Sequence, residues 1–201
     1  PLFQGRMGSH LLITGKSGIG KTAACRHVLR EMDQHSERIF GIYVNCWKQD
    51  TTYKVLVDIC QQIGYKWVQN KKTNELMVEI AKILNKKAAV IVLDEIDKLK
   101  EEQVLYQLVE DLYKKCIILI TNDEDFLSTI DQRTRSRLLP EALAFEPYTR
   151  AEVKAILEER RKCAFYEGVL HEDIFVSLAE SCFQVEDIRI GLFLLKESGN
   201  A

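Results

Sequence analysis

Short apolar runs alternate with amphipathic segments from the start of the chain to Pro147. Apolar runs predict strands at residues 10–14, 38–45, 88–94, 116–121 and 142–145. Apolar residues at helical spacing predict helices between these strands, at residues 23–32, 52–63, 74–84 and 103–113. Gly64 is placed to end the second of these helices. Alternation of strand and helix predicts an α/β fold with a parallel sheet.

The chain after Pro147 is predicted to be helical throughout. Helical spacing continues over residues 150–165, 172–182 and 186–196. The change from alternating strand and helix to helix alone predicts two domains. These are an α/β domain at residues 1–147 and a small all-helical domain at residues 148–201.

A glycine-bearing loop after the first strand has the spacing G-x-x-x-x-G-K-[ST] of a phosphate-binding motif. Its residues are Gly15, Lys16, Ser17, Gly18, Ile19, Gly20, Lys21 and Thr22. The glycines let consecutive backbone N–H groups turn onto phosphate oxygens, and the helix that starts near Ala23 adds the positive end of its dipole. Lys21 is predicted to reach the β- and γ-phosphates, and the Thr22 hydroxyl is placed to coordinate Mg²⁺.

Acidic residues follow the apolar run at residues 88–94. The carboxyl end of a parallel strand opens beside the loop of a neighbouring strand, so we assign Asp94 to the metal and Glu95 to the attacking water. Asn122 follows the next predicted strand, where its amide can hydrogen-bond the γ-phosphate or its water. The alternative for Asn122 is to cap a helix at residues 123–128, and the pattern leaves both roles open.

Two groups of side chains carry competing interpretations. Arg133, Arg135 and Arg137 have the spacing of a solvated face, but one of them could instead be presented to the γ-phosphate of a neighbouring subunit. Trp47 and Trp67 are expected to pack in the core or at a hinge rather than stack on nucleic acid.

Composition narrows the classes of function. With 201 residues and 46% hydrophobic content, the chain can bury a full core. The formal net charge of −2 gives no overall basic footprint, so any DNA contact is expected to be local. No apolar run approaches the roughly 18 residues that span a bilayer, so no membrane role is expected.

The scattered cysteines predict reduced and mostly buried thiols in a cytosolic protein, with no zinc-ligand spacing. They are Cys25, Cys46, Cys60, Cys116, Cys163 and Cys182. At the start of the chain, residues 2–5 resemble a picornaviral protease site and residues 8–10 resemble a cloning scar. We therefore expect no function from residues 1–9.

These motifs together resemble the AAA+ ATPases, and within them the initiator clade of origin-recognition and cell-division-control loader proteins, best known as archaeal replication initiators. The likeness covers residues 11–198 and rests on the segments GKSGIGKT, VIVLDEID, IILITND, TRSRL and EDIRIGLFLL. The clade rests on YVNCW followed by Thr51 and Thr52, on Ser136-Arg137-Leu138 and on Asp187-Ile188-Arg189. The resemblance implies a P-loop, parallel five-stranded sheet flanked by helices, with a small all-helical lid domain.

The resemblance also implies roles for individual residues. Asn122 matches sensor 1, Arg137 matches the arginine finger for a neighbouring subunit, and Arg189 matches the sensor 2 arginine that reaches from the lid to the nucleotide. Asn45 matches a polar residue on the second strand that can hold the catalytic glutamate away until a partner binds. Glu186 departs from the family, which usually has glycine before Asp-Ala-Arg.

As function, the resemblance implies an ATP-controlled switch that binds ATP or ADP with Mg²⁺, hydrolyses ATP and assembles on duplex DNA. The implied partners are a replicative helicase, which the complete protein loads, and other AAA+ subunits or a second copy through Arg137. The implied location is the cytoplasm at the nucleoid, or the nucleus for a eukaryotic source. Such proteins also have a segment that walls the adenine pocket and a winged-helix domain that binds most of the DNA. Neither is recognised here, so we expect an ATPase core that binds ATP more weakly than the complete protein and hydrolyses it slowly.

Two alternatives stay open at this stage. One is another AAA+ machine, such as a clamp-loader subunit or a transposition regulator, with a protein client or transposon DNA. The other is a nucleotide-gated scaffold with little turnover, which the presence of Glu95 disfavours.

Overall fold

Strands and helices alternate in the computed structural model, which describes residues 8–35, 39–166 and 168–199. The strands are β1 (Leu11–Thr14), β2 (Ile39–Asn45), β3 (Ala88–Asp94), β4 (Lys115–Ile120) and β5 (Glu141–Ala144). The first helices are α1 (Lys21–His35), α2 (Thr52–Gln62), α3 (Thr73–Leu84), α4 (Gln103–Asp111), α5 (Phe126–Thr129) and α6 (Gln132–Leu138). The last helices are α7 (Arg150–Ala164), α8 (Glu172–Val185) and α9 (Ile188–Ser198). Arg38 and the protease-like residues 2–5 lie outside the described residues.

The strands form one parallel sheet with the order β2-β3-β4-β1-β5. The predicted fold class is therefore confirmed. β3 is buried at every position, which explains its continuous apolar run. β1 lies between β4 and β5, so the strand order reverses beside it. In sheets of this kind, ligands bind beyond the carboxyl ends of the strands at such a reversal.

The chain divides into two compact units. The first unit comprises residues 1–14 and 21–144, and the second comprises residues 15–20 and 145–201. The phosphate-loop motif is consequently divided at the bond between Gly20 and Lys21. Each part of the motif is described below within its own unit.

Helices α2 and α3 show why the first unit has a large core. α2 begins after Thr51, whose side chain accepts the backbone N–H of Lys54 and so caps the helix. The helix ends at Gln62, and Gly64 two residues later has a φ of +80°, the left-handed conformation that glycine adopts at low cost. Both helices contribute an apolar face to one core, with buried residues Val55, Leu56, Ile59, Cys60, Leu76, Met77, Ile80 and Leu84.

The second unit has its own core between α7, α8 and α9. A capping box of Thr149 and Glu152 starts α7, and Leu157 on this helix is fully buried. Gly191 on α9 lets the helices approach closely, because a Cβ there would come within 2.7 Å of the Cys182 sulfur and 3.0 Å of Leu157. The remaining core side chains are Val153, Phe175, Leu178, Ala179 and Leu195.

All six cysteines are free thiols, and four of them are buried, as the sequence predicts. Burial raises the pKa of the Cys46 thiol to about 12, so this thiol stays protonated and unreactive at neutral pH. Cys163 on α7 is exposed. Within the described residues, no helix has the length and apolar character needed to cross a membrane.

His10 is buried beside β1, although it belongs to the scar-like residues. Its Nδ1 accepts the backbone N–H of Ile117 at 3.0 Å, which requires that nitrogen to be unprotonated. Burial first, and the nearby Lys115 ammonium second, lower the pKa of His10 from 6.5 to about 4. The neutral imidazole is therefore part of the folded structure.

The free energy of unfolding should depend on pH through His10. The imidazole of His10 has a lower pKa in the folded state than in the unfolded state, so protonation favours unfolding. The contribution of neutral His10 to stability is therefore complete above pH 6.5 and is lost as the pH falls toward 4. We expect a loss of about 2 kcal/mol between pH 7 and pH 5 from this group, measured by urea denaturation.

The variant His10→Asn keeps an acceptor but cannot titrate, so it should remove that part of the pH dependence. His27→Asn, at an exposed histidine on α1, is the matched control. An unchanged pH dependence in His10→Asn would contradict the prediction.

Candidate functional site

Side chains from the loop motif, the acidic strand end and the strand after it meet within the first unit. Lys21, which starts α1 and is buried, donates a hydrogen bond from Nζ to Asn122 Oδ1 at 2.8 Å. Thr22 donates from its hydroxyl to Asp94 Oδ2 at 2.6 Å. Asp94 is the last residue of β3 and is 2% exposed. The carboxyl ends of β3 and β4 thus bring an acidic and an amide side chain to the start of α1.

Tyr43 on β2 is a residue at this site that the sequence analysis missed as a functional candidate. Its hydroxyl donates to Asp94 Oδ2 at 2.6 Å, the same oxygen that Thr22 contacts. Burial and this hydrogen bond raise the pKa of Tyr43 to about 12, so the phenol remains a donor at neutral pH. One feature of the sequence could have indicated this role. Tyr43 lies two residues before Asn45, so the two side chains share a face of β2, the strand beside β3.

Glu95 follows β3 in a left-handed backbone conformation, with φ 55° and ψ 46°. A residue other than glycine pays a steric cost there, and such residues concentrate at functional sites. The backbone N–H of Glu95 donates to Asp94 Oδ1 at 3.0 Å. Asn45 pairs in register with Asp94, and its Oδ1 accepts the backbone N–H of Lys48 at 3.1 Å.

The glycines of the loop belong to the second unit and have positive φ. Gly18 has φ +83°, and a Cβ there would overlap the carboxylate of Asp187. Gly20 has φ +93°, and a Cβ there would lie 2.6 Å from the Tyr148 hydroxyl. Any other residue at these positions would be strained in backbone and crowded in side chain.

Arg189 contacts the loop within the second unit. Its guanidinium donates to Ser17 Oγ at 3.1 Å and to both carboxylate oxygens of Asp187. Hydrogen bonds from Arg189 hold the pKa of Asp187 below its usual value. Asp187 also caps α9 by accepting the backbone N–H of Arg189, and Lys16 forms an ion pair with Glu186 next to it. The turn between α8 and α9 therefore presents two carboxylates to loop residues 16–18.

Arg137 lies on α6 with its side chain 46% exposed. It forms an ion pair with Glu110 of α4, and its guanidinium carbon lies 5.4 Å from the centroid of the Tyr106 ring. Arg133 and Arg135 on the same helix are exposed. The guanidinium of Arg137 is exposed, as a residue that contacts a neighbouring molecule must be.

The side chains present fit a magnesium ion bound together with a nucleotide. Mg²⁺ is usually held by one or two carboxylates, substrate phosphates and water rather than by a cage of protein ligands. Thr22 and Asp94 supply one hydroxyl and one carboxylate. Among the described residues, no cluster of three or more His, Cys, Asp or Glu side chains could hold a metal.

The prediction that Trp47 and Trp67 pack in the core is wrong. Their side chains are 65% and 79% exposed. Trp67 lies in the loop between α2 and α3, and Trp47 follows β2 with the Lys98 ammonium 5.8 Å from its ring centroid. Both rings are available to a partner.

Residues 6–128 match a protein family described as AAA domain, and this match spans more than half of the chain. The chain therefore belongs to the AAA domain family. Membership supports nucleotide binding and ATPase activity in general terms.

Within this family, the chain is similar to archaeal proteins named ORC1-type DNA replication protein 1. It is 34% identical over 212 residues to that of Sulfurisphaera tokodaii, covering 99% of this chain and 53% of the relative. It is 33% identical over 213 residues to that of Archaeoglobus fulgidus, covering 98% of this chain and 52% of the relative. The chain spans about half the length of these curated relatives.

Two solved structures are also similar to this chain. The structure of the Aeropyrum pernix ORC1 protein in complex with DNA superposes with a TM-score of 0.86 at 31% identity, covering 100% of this chain and 56% of that chain. The structure of Cdc6p from Pyrobaculum aerophilum has a TM-score of 0.86 at 18% identity, covering 99% of this chain and 57% of that chain. The second likeness shows the fold alone.

Proposed function

We propose that this chain is an ATP-binding and ATP-hydrolysing switch that acts in the initiation of DNA replication. The ATP part is carried by one observation, the 2.6 Å hydrogen bond from Thr22 to Asp94, which joins the phosphate-loop motif to the acidic strand end. The replication part is supported by the similarity to ORC1-type DNA replication proteins.

In this proposal, the backbone N–H groups of residues 15–20 and of Ala23 bind the phosphates, and Lys21 neutralises their charge. Thr22 and Asp94 hold Mg²⁺, directly or through its water. When bound, Mg²⁺ offsets the charge that develops on the transferred phosphoryl group. Glu95 orients the attacking water and accepts its proton.

Asn122 is proposed to sense the γ-phosphate, because its amide oxygen accepts a hydrogen bond from Lys21, the residue that would contact the phosphates. Arg189 is proposed to couple the nucleotide to the helical unit. Its present partner Asp187 is a carboxylate, and a phosphate can take the same place on a guanidinium. Asn45 is proposed to restrain Glu95 until a partner subunit binds.

Duplex DNA is the proposed partner of the loop between α2 and α3. This loop combines the exposed indole of Trp67 with Lys66, Lys71 and Lys72, and it borders a cavity of about 570 Å³. Basic side chains attract phosphates, and an aromatic ring can contact bases. A replicative helicase and further AAA+ subunits, or a second copy of this chain, are the other proposed partners in the cytoplasm.

Fluorescence anisotropy of a labelled duplex tests the DNA part. We expect binding that requires Mg-ATP and weakens from 50 mM to 200 mM salt, because phosphate contacts release counterions. Trp67→Ala should weaken binding by about ten-fold, the order of magnitude of one lost aromatic contact to a base. Tyr113→Ala, at an exposed aromatic residue after α4, is the matched control.

Absence of binding with and without nucleotide would contradict DNA contact by this chain. Recognition would then belong to a part of the relatives that the chain does not cover, or the partner would be a protein. Equal binding by Trp67→Ala and the wild type would remove Trp67 from the interface.

A further inference from the structure

The carboxylate of Asp94 is held by three donors, which come from α1, from β2 and from the residue that follows β3. Thr22 of α1 and Tyr43 of β2 donate their hydroxyls to Oδ2, each at 2.6 Å. The backbone N–H of Glu95 donates to Oδ1 at 3.0 Å. The plane of a carboxylate with both oxygens engaged cannot rotate without breaking one of these bonds.

The ring of Tyr43 is itself held by α1. Arg26 places its guanidinium carbon 4.2 Å from the ring centroid, a cation–π contact. Thr22 and Arg26 are four residues apart and therefore share a face of the helix. One turn of α1 thus contacts Asp94 both directly and through Tyr43.

The backbone of Tyr43 is fixed as well. β2 is an edge strand, and the side chain of Gln62 on α2 pairs with the backbone of Tyr43 on this edge. Gln62 Oε1 accepts the N–H of Tyr43 at 3.0 Å, and its Nε2 donates to the carbonyl of Tyr43 at 2.7 Å. Asp58 accepts a further hydrogen bond from the Gln62 amide at 3.3 Å. Main chain, ring and hydroxyl of Tyr43 are each restrained.

We propose that Tyr43 is a positioning residue that orients the Asp94 carboxylate for Mg²⁺. The inference rests on the proposed function, because it assumes that Asp94 and Thr22 serve a magnesium–nucleotide site. Outer hydrogen bonds of this kind fix the direction of a ligand's lone pairs, and their loss commonly weakens metal affinity 10- to 100-fold. Tyr43 does not itself touch nucleotide in this proposal.

The test is a titration of Mg²⁺ into the protein with a fluorescent ATP analogue, which reads binding and not turnover. In Tyr43→Phe, the Mg²⁺ concentration that gives half of the binding signal should rise by about ten-fold. Binding in EDTA should stay within about two-fold of the wild type, because the phosphate-loop backbone and Lys21 are unchanged. Tyr113→Phe, at an exposed tyrosine, should leave the Mg²⁺ midpoint unchanged.

A double-mutant cycle distinguishes positioning from general destabilisation. In an Asp94→Asn background, Tyr43→Phe should have no further effect on the Mg²⁺ midpoint, because the carboxylate that it positions is absent. The same shift in both backgrounds would overturn the proposal, as would a Tyr43→Phe midpoint equal to the wild type. Failure of the wild type to bind the analogue at any Mg²⁺ concentration would instead overturn the proposed function.

Discussion

The Glu95→Gln variant is expected to lose ATP turnover while it retains ATP binding. A glutamine keeps the size of the side chain but cannot accept the proton of the attacking water. Loss of a general base typically costs 10² to 10⁴ in rate, so we expect kcat to fall by about that factor. Phosphate release measures turnover, and a fluorescent ATP analogue measures binding.

Glu159→Gln, at an exposed glutamate on α7, is the matched control and should keep wild-type turnover. Turnover in Glu95→Gln equal to the wild type would remove Glu95 from the mechanism. A wild type that binds ATP without measurable turnover at any protein concentration would favour the nucleotide-gated scaffold over the ATPase.

The Arg137→Ala variant is expected to lose turnover only where the chain self-associates. A guanidinium supplied by a neighbour to the γ-phosphate is worth 10³ to 10⁵ in rate, so we expect a loss of about 10³-fold at high protein concentration. Dilute wild type should already be slow, since it lacks the neighbour. Specific activity measured against protein concentration, with sedimentation to follow association, reads both effects.

Arg135→Ala, at an exposed arginine two residues away on α6, is the control for loss of charge on this surface. The ion pair of Arg137 with Glu110 is exposed, and such pairs contribute about 0–1 kcal/mol, so folding should be little affected. Mixing Arg137→Ala with Glu95→Gln should restore turnover, because the second variant supplies the arginine that the first one lacks. Mixtures without recovery, or specific activity independent of concentration, would count against action between subunits.

The sequence predicts those parts of the fold that depend on local pattern. The apolar run that became β3 is buried at all positions, and the helix stop at Gly64 is confirmed by its positive φ. The motifs likewise identify the side chains that meet at the site, where Lys21 contacts Asn122 and Thr22 contacts Asp94. For β3 and Gly64, one stretch of chain contains the physical reason for the structure. For the motif residues, the motif names the side chains and the parallel sheet brings the strand ends together.

Contacts between distant stretches that no sequence motif marks could not be predicted in this way. The hydrogen bond from Tyr43 to Asp94 spans 51 residues and depends on the register between β2 and β3. The exposure of Trp67 depends on how the loop between α2 and α3 lies on the folded chain, which composition does not reveal. The carboxylate of Asp187 beside Gly18 depends on how the turn between α8 and α9 folds onto residues 16–18.

Edge strands are where sheets recruit further strands from other chains, and the structure limits this on the side of β2. The amide of Gln62 occupies both the donor and the acceptor of Tyr43, and so takes up hydrogen bonds that an added strand would need. The opposite edge, β5, has only four residues. The association of copies proposed for Arg137 would therefore use a side-chain surface such as α6 and would not extend the sheet into an amyloid-like ribbon.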